Sequence, residues 1–264
     1  MNNHRQCSRF KLLLEYDGSR YSGWQKQNDA RTIQGTLLDA GAVIFGSKLD
    51  IQGNGRTDAG VHALNYTAHL EASTTMRPED ILVRFNELLP SDIVVLEVAP
   101  CAARFHARHN CIGRSYLYRI SLRKSAFAKK HVWWVKDKLD VKAMAEAGSL
   151  FVGMHDFVSF AEKQELKKST KVMINAIQIF EDDEIIYFRT VGSHFLWKMI
   201  RRMAAVLVEV GRGKLSVEDV ETFLRTRTDA PSRLLAPPAG LFFERAFYDQ
   251  GEFNTFLSEI AEKA

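Results

Sequence analysis

The chain is poor in several things, and each shortage closes off a class of protein. Cysteine is scarce: three residues, an odd number spread along the chain, argue against a disulfide framework and for a reducing compartment, read here as the cytoplasm. No apolar run approaches the length of a membrane span, and the polar opening at residues 1–6 lacks the apolar core of a signal peptide. The formal charge is only +4, so the total says little and the clustering of the bases matters more. The His-x-Glu and Pro-Cys-x-x-Cys pattern of zinc-dependent base deaminases is missing. An aspartic protease would need two matching Asp-Thr/Ser-Gly loops, which the chain does not have. The remainder is ordinary for a globular protein, 46% hydrophobic and 26% charged over 264 residues. That is enough for one large or two modest domains, each with its own core.

What the chain does have centres on Gly53-Asn54-Gly55-Arg56-Thr57-Asp58-Ala59-Gly60-Val61-His62-Ala63. Three glycines in eight residues permit positive φ and close backbone approach, which predicts a shaped loop between two strands. A dinucleotide fingerprint fits poorly, because Asp58 stands at the third glycine position and no helical pattern follows. An arginine, a hydroxyl and a single carboxylate suit a site. Taken alone, the loop fits equally a long hairpin turn with a solvated aspartate.

The periodicity on either side predicts a strand over 11–16, a helix capped by Thr32 and closed by Gly46, and a strand ending at Ile51. After the loop come a strand over 64–70, a helix opened by Pro78 and a strand over 93–98. That order is βαββαβ. A second pass follows: a strand over 114–122, a helix capped by Asp140, and strands over 174–180 and 185–191. It continues with a long helix from 193 to about 210, a shorter one over 216–225 and a last strand over 241–248. The expectation is an α+β fold of two tandem ferredoxin-like halves, residues 1–105 and 106–264. A largely antiparallel sheet would carry helices on one face and a cleft on the other.

Three stretches suit RNA. Tyr21 and Trp24 stand among Arg20, Gln25 and Lys26, where rings can stack on bases while cations meet phosphates; burial beneath the loop is the competing reading. Arg114, Tyr116 and Tyr118 alternate onto one strand face. Lys198, Arg201 and Arg202 share a helix side opposite the apolar stripe of Phe195, Met199, Met203, Val206 and Val210. That side suits a phosphate backbone or a buried carboxylate, and equally plain solvation. Cys101, His106, His109 and Cys111 crowd into eleven residues, a spacing unlike structural zinc sites, so no metal is expected.

With these stretches placed, the sequence resembles the TruA-type tRNA pseudouridine synthase family nearly end to end. Residues 55–63 resemble its catalytic motif. Asp17-Gly18, Gly23-Trp24-Gln25 and Thr32-Ile33-Gln34-Gly35 resemble its N-terminal pattern. Further matches are 105–108 with Arg114-x-Tyr116-x-Tyr118, then His155-Asp156-Phe157, Phe195-Leu196 with Met199-Ile200-Arg201, 209–214 and 236–241. The resemblance implies a cofactor-free, metal-free enzyme that converts uridine to pseudouridine at positions 38–40, in the tRNA anticodon stem-loop, and acts as a homodimer. It implies catalytic roles for Asp58, Tyr116 and Arg201, with Arg201 paired to Asp58 and Tyr116 against the target base. Arg56 would hold the flipped nucleotide. Trp24, Arg114, Tyr118, Leu196, Lys198 and Arg202 would complete the RNA-binding surface. The rival reading is a catalytically silent RNA-binding protein of the same fold. The chain departs from the family at Lys171-Val172-Met173, where an arginine is usual, at His194 and Arg202, and in the lysine-rich stretch 161–170.

Overall fold

The computed structural model describes residues 7–46, 48–167 and 169–262; residues 1–6 and Lys168 of the lysine-rich stretch fall outside them. The chain divides into two compact units, one holding the chain up to Cys111 with Phe243–Ala246, the other Ile112–Phe242 with Phe247–Ala264.

In the first unit β1 (Cys7–Tyr16) is followed by α1 (Ile33–Phe45), β2 (Leu49–Gly53), β3 (His62–Ser73), α2 (Pro78–Leu88) and β4 (Ile93–Pro100). β1 lies between β4 and β3, β2 flanks β3, and each of these pairs is antiparallel. The alternation of β1 sends Phe10, Leu12, Leu14 and Tyr16 to a buried face. β3 adds Tyr66, Ala68 and Leu70 to that burial. Local chemistry sets the helix ends: Thr32 Oγ1 accepts from the Gly35 N–H, and Gly46 takes φ 84° beyond the last turn. In α1, Gly41 brings the backbone close to Leu49, Ile51 and Phe85, where a Cβ would collide with the Leu49 side chain. The other face of β1 and β3 carries Arg9 paired with Glu71, and Lys11 opposite His69.

The second unit holds β5 (Gly113–Ser121), β6 (Trp133–Trp134), α3 (Val141–Ser149), β7 (Gly153–Asp156), β8 (Lys171–Asp182) and β9 (Ile185–Gly192). Then come α4 (Met199–Gly211), α5 (Val217–Arg225), β10 (Leu241–Phe247) and α6 (Gln250–Glu262). Strand order β5-β9-β8-β7 is antiparallel throughout, while β6 pairs β5 in parallel. β10 lends Phe243–Ala246 to the first unit.

Three features depart from the sequence expectation. The long helix begins at Met199, not at 193, because the chain turns first through Lys198 at φ 61°. β6, β7 and α6 are additional to the strands and helices that periodicity predicts. α6 packs Phe253 and Ile260 on Val191 and Phe247, whereas Ile177 and Ile179, whose neighbours in β8 point the opposite way, meet Gly148 of α3. Helices therefore cover both faces of β8.

Candidate active site

Residues 53–62 leave β2 at Gly53 and rejoin β3 at His62, and the loop between is anchored at nearly every step. The Asn54 N–H donates to Thr67 O at 3.0 Å. The Tyr66 hydroxyl donates to Gly55 O and receives the Gly55 N–H at 3.4 Å. The Thr57 hydroxyl sits 2.9 Å from that of Tyr16, and Thr57 O accepts from the Trp24 N–H at 3.1 Å. Gly60, at φ 78°, donates to Tyr21 O at 3.2 Å. Gly23 takes φ 88°, and any Cβ there would collide with Thr57 O. The loop thus turns Thr57 inward, leaves Arg56 exposed and holds Asp58 half-buried. It can present one carboxylate in a fixed place, with little of its own backbone left to rearrange.

The aromatic residues beside this loop support it from within. Trp24 is 2% exposed and its ring lies 4.2 Å from that of Tyr66. Most of the ring is therefore core, since indole area favours burial. Tyr21 is also buried; its hydroxyl donates to Asp92 at 2.5 Å, and burial followed by that carboxylate pushes its pKa up.

In the second unit the remaining candidates gather near the start of α4. Tyr116 is nearly buried with its ring edge-on to Phe195 at 5.2 Å, and Arg114 Nη1 donates to Ser193 O at 2.7 Å. Leu196 is buried. Arg201 Nε donates to Ala236 O at 2.8 Å, while the Ala236 N–H returns to Arg201 O at 3.2 Å, so the guanidinium is tied to the 236–240 turn. Tyr118 is fully buried and donates to Pro237 O at 2.6 Å. Burial raises its pKa, against the opposing charge of Arg201. A buried phenol committed to a carbonyl is not an RNA contact, so Tyr118 also moves to the core.

Arg202 departs furthest from what the sequence predicts. α4 is buried on almost every side, and its second arginine goes with it. Arg202 is 4% exposed, donating to Phe160 O and to Glu162, both at 2.9 Å. Lys198 reaches the same Glu162 oxygen at 2.9 Å, and that hydrogen bond is first among the causes that hold the carboxyl below its usual range. Sequence reasoning misses Glu162, since an acid in a lysine-rich loop gives no sign of its partner. It also misses the role of Gln34, which stands in a motif without a function of its own. Gln34 is buried, accepting the Lys26 N–H and donating to Ile51 O within the first unit.

Comparison with known proteins places the chain among relatives. A family model described as tRNA pseudouridine synthase matches residues 13–110 and 147–249. The chain is 36% identical over 243 residues to tRNA pseudouridine synthase A 2 of Clostridium tetani, covering 90% of this chain and 98% of that one. It is 39% identical over 234 residues to tRNA pseudouridine synthase A 1 of the same organism, covering 88% and 96%. With tRNA pseudouridine synthase A of a Bacillus species the identity is 37% over 238 residues, covering 89% and 97%.

Proposed function

The chain belongs to the tRNA pseudouridine synthase family, and on that premise we propose that it isomerises uridine to pseudouridine at positions 38–40 of the tRNA anticodon stem-loop. The observation that carries this reading is the 53–62 loop, whose glycines and buried hydroxyls hold one half-buried carboxylate, Asp58, in a fixed position. The reaction breaks the N1–C1′ bond of uridine and forms a C5–C1′ bond, while C5 gives up a proton and N1 receives one. Atoms balance without an oxidant, a reductant or a leaving group, so one placed carboxylate acting as nucleophile or base is sufficient chemistry.

Asp58 is the reacting carboxylate, Tyr116 packs against the target base, and Arg201 offsets the carboxylate charge. Arg56, exposed beside Asp58, holds the extruded nucleotide. Arg114 and Lys198 add positive charge, while Leu196 contributes packing. The halves 1–105 and 106–264 act together, the first carrying the catalytic loop. The protein works as a homodimer in the cytoplasm, since doubling a surface of formal charge +4 strengthens its hold on phosphate. Among the described residues no helix is long and apolar enough to cross a membrane.

The test is to incubate the protein with unmodified tRNA and map pseudouridine along it. Conversion confined to the anticodon stem-loop supports the proposal. Conversion elsewhere would reassign the target, and tRNA bound but unchanged would leave a binding protein.

A further inference from the structure

A polar pocket opens beside the catalytic loop, wholly within the first unit, lined among others by Gln25, Gln52, Gly55, Arg56, His106 and Arg108. Asp58 is not part of its wall. Two guanidiniums face one carboxylate there, Asp50, and Asp50 is already engaged by Gln52 Nε2 at 2.5 Å.

Arg56 is held through its side chain and Arg108 through its backbone. Arg56 Nε donates to Gln25 Oε1 at 3.3 Å, and Gln25 Nε2 donates to Gln34 Oε1 at 2.6 Å. Gln34 also accepts the Lys26 N–H at 2.9 Å and donates to Ile51 O at 2.8 Å. Two carboxamides in series thus connect Arg56 to the backbone of β2 and fix one edge of its guanidinium, leaving the other edge to meet a ligand. Arg108 rides on a tight turn. Its N–H donates to His106 Nδ1 at 3.1 Å, and the preceding Ala107 N–H donates to His69 Nδ1 at 3.2 Å. Burial, followed by the charges of His109 and Arg9, lowers the His106 pKa. Because Nδ1 accepts the backbone N–H groups of Arg108 and His109, it carries no proton in this geometry, and Nε2 is the ring's donor.

We propose that this pocket is a subsite for a second nucleotide of the RNA, one beside the reacting uridine, with Arg56 and Arg108 on its phosphodiester and Gln25 and Gln34 as positioning residues for Arg56. Two guanidinium forks suit a phosphate, and the Gln52 carboxamide offers the donor and acceptor pair that a base edge needs. This rests on the family's RNA substrate as proposed above, and binding reads it out separately from turnover.

Anticodon stem-loops carrying one uncharged methylphosphonate linkage at a time are titrated against the wild-type protein and Arg108→Ala. One linkage next to the target is expected to raise the wild-type Kd about tenfold, and to raise that of Arg108→Ala less than about twofold, because the partner is already gone. Equal losses at every linkage in both proteins, or no binding of the stem-loop at all, would overturn the subsite. Gln25→Met keeps the volume but removes the carboxamide. It should reduce the penalty at that same linkage without moving the thermal midpoint. A wild-type penalty with Gln25→Met would show that the relay does not position Arg56. Because these are affinities, the subsite can stand where pseudouridine formation is not detected, and can fail where it is.

Discussion

Residues 53–62 and residues 193–202 each carry one residue of the proposed site, Asp58 in a loop and Arg201 in the first turn of α4, yet different forces hold the two segments. In the first, glycines meet backbone carbonyls, and tyrosine hydroxyls meet Thr57 and Gly55. In the second, Lys198 departs from helical geometry at φ 61°, and Glu162 ties it to the buried Arg202. Shape fixed by sterics and neutral hydrogen bonds is insensitive to salt and pH; shape fixed by a shared carboxylate is not. A reacting carboxylate gains a fixed position from the first arrangement. A cation that must meet an anionic substrate is well served by the second.

The largest expected effect tests whether the rigid loop is where the chemistry happens. Asp58→Asn should lower turnover by about a thousandfold or more and leave the tRNA Kd unchanged or tighter, as loss of a negative charge near phosphate predicts. Single-turnover kinetics and filter binding check both. Near-normal turnover would move the reaction away from this loop.

Next, Gly23→Ala should cost roughly 4 kcal/mol, combining a left-handed φ with overpacking against Thr57 O. Gly46→Ala serves as its control: φ is nearly the same, but nothing lies within 4 Å of the added Cβ, so only the backbone cost, about 2 kcal/mol, is expected. Denaturant unfolding of the two should separate them clearly; equal losses would mean that the loop is not held by steric contact.

Arg202→Ala probes the charged region. It removes the buried partner of a carboxylate whose side chain is 22% exposed and which keeps Lys198, so about 3 kcal/mol, the low end for a broken buried pair, is expected. Arg202→Met should recover part of it, because an apolar residue of similar length suits the site once the charge is gone. A loss of tRNA affinity with unchanged stability would restore Arg202 to the RNA surface.

The smallest effect is a pH dependence, and it qualifies the contrast. His69 lies behind the catalytic loop on β3, facing His106, Arg9 and Asp50, and burial brings its pKa down to about 4. Between pH 6.5 and about 4 the unfolded chain takes up a proton that the native imidazole refuses, so stability falls as pH drops through that window and levels off below it. His69→Gln should flatten this dependence. The Glu162 carboxyl acts lower: its pKa is depressed from 4.5, so its contribution is present above that value and lost as pH falls beneath it.

Much of this fold is readable because its signals are local. Thr32, Gly46, Pro78 and Asp140 stand at helix ends as their side chains demand, and the alternation of β1 and β5 shows in the sequence. What lies out of reach is coverage. Alternation puts Arg114, Tyr116 and Tyr118 on one face, but does not show that Gly240 packs against the Tyr118 ring. The stripe of α4 shows which side is apolar, but not that the other sides are buried too. α6 is legible after the fact, with Phe253, Phe256, Leu257 and Ile260 at helical spacing and the Asp249 carboxylate accepting the Glu252 N–H at its start. For the candidate site, the loop and its carboxylate stand out from composition alone, whereas the carboxamide relay behind Arg56 requires Gln25 and Gln34 to be seen side by side.

The return of Phe243–Ala246 to the first unit sets an order of events in synthesis. Tyr66, whose hydroxyl grips Gly55, has the ring of Phe243 edge-on at 5.2 Å. A nascent chain that has released everything up to Cys111 therefore holds the catalytic motif without the ring that buttresses its anchor. Long-range pairing of this kind is slow, so this one support is added only when almost the whole protein has left the ribosome. An N-terminal fragment cut after Cys111 would contain Asp58 in a loop that lacks part of its support.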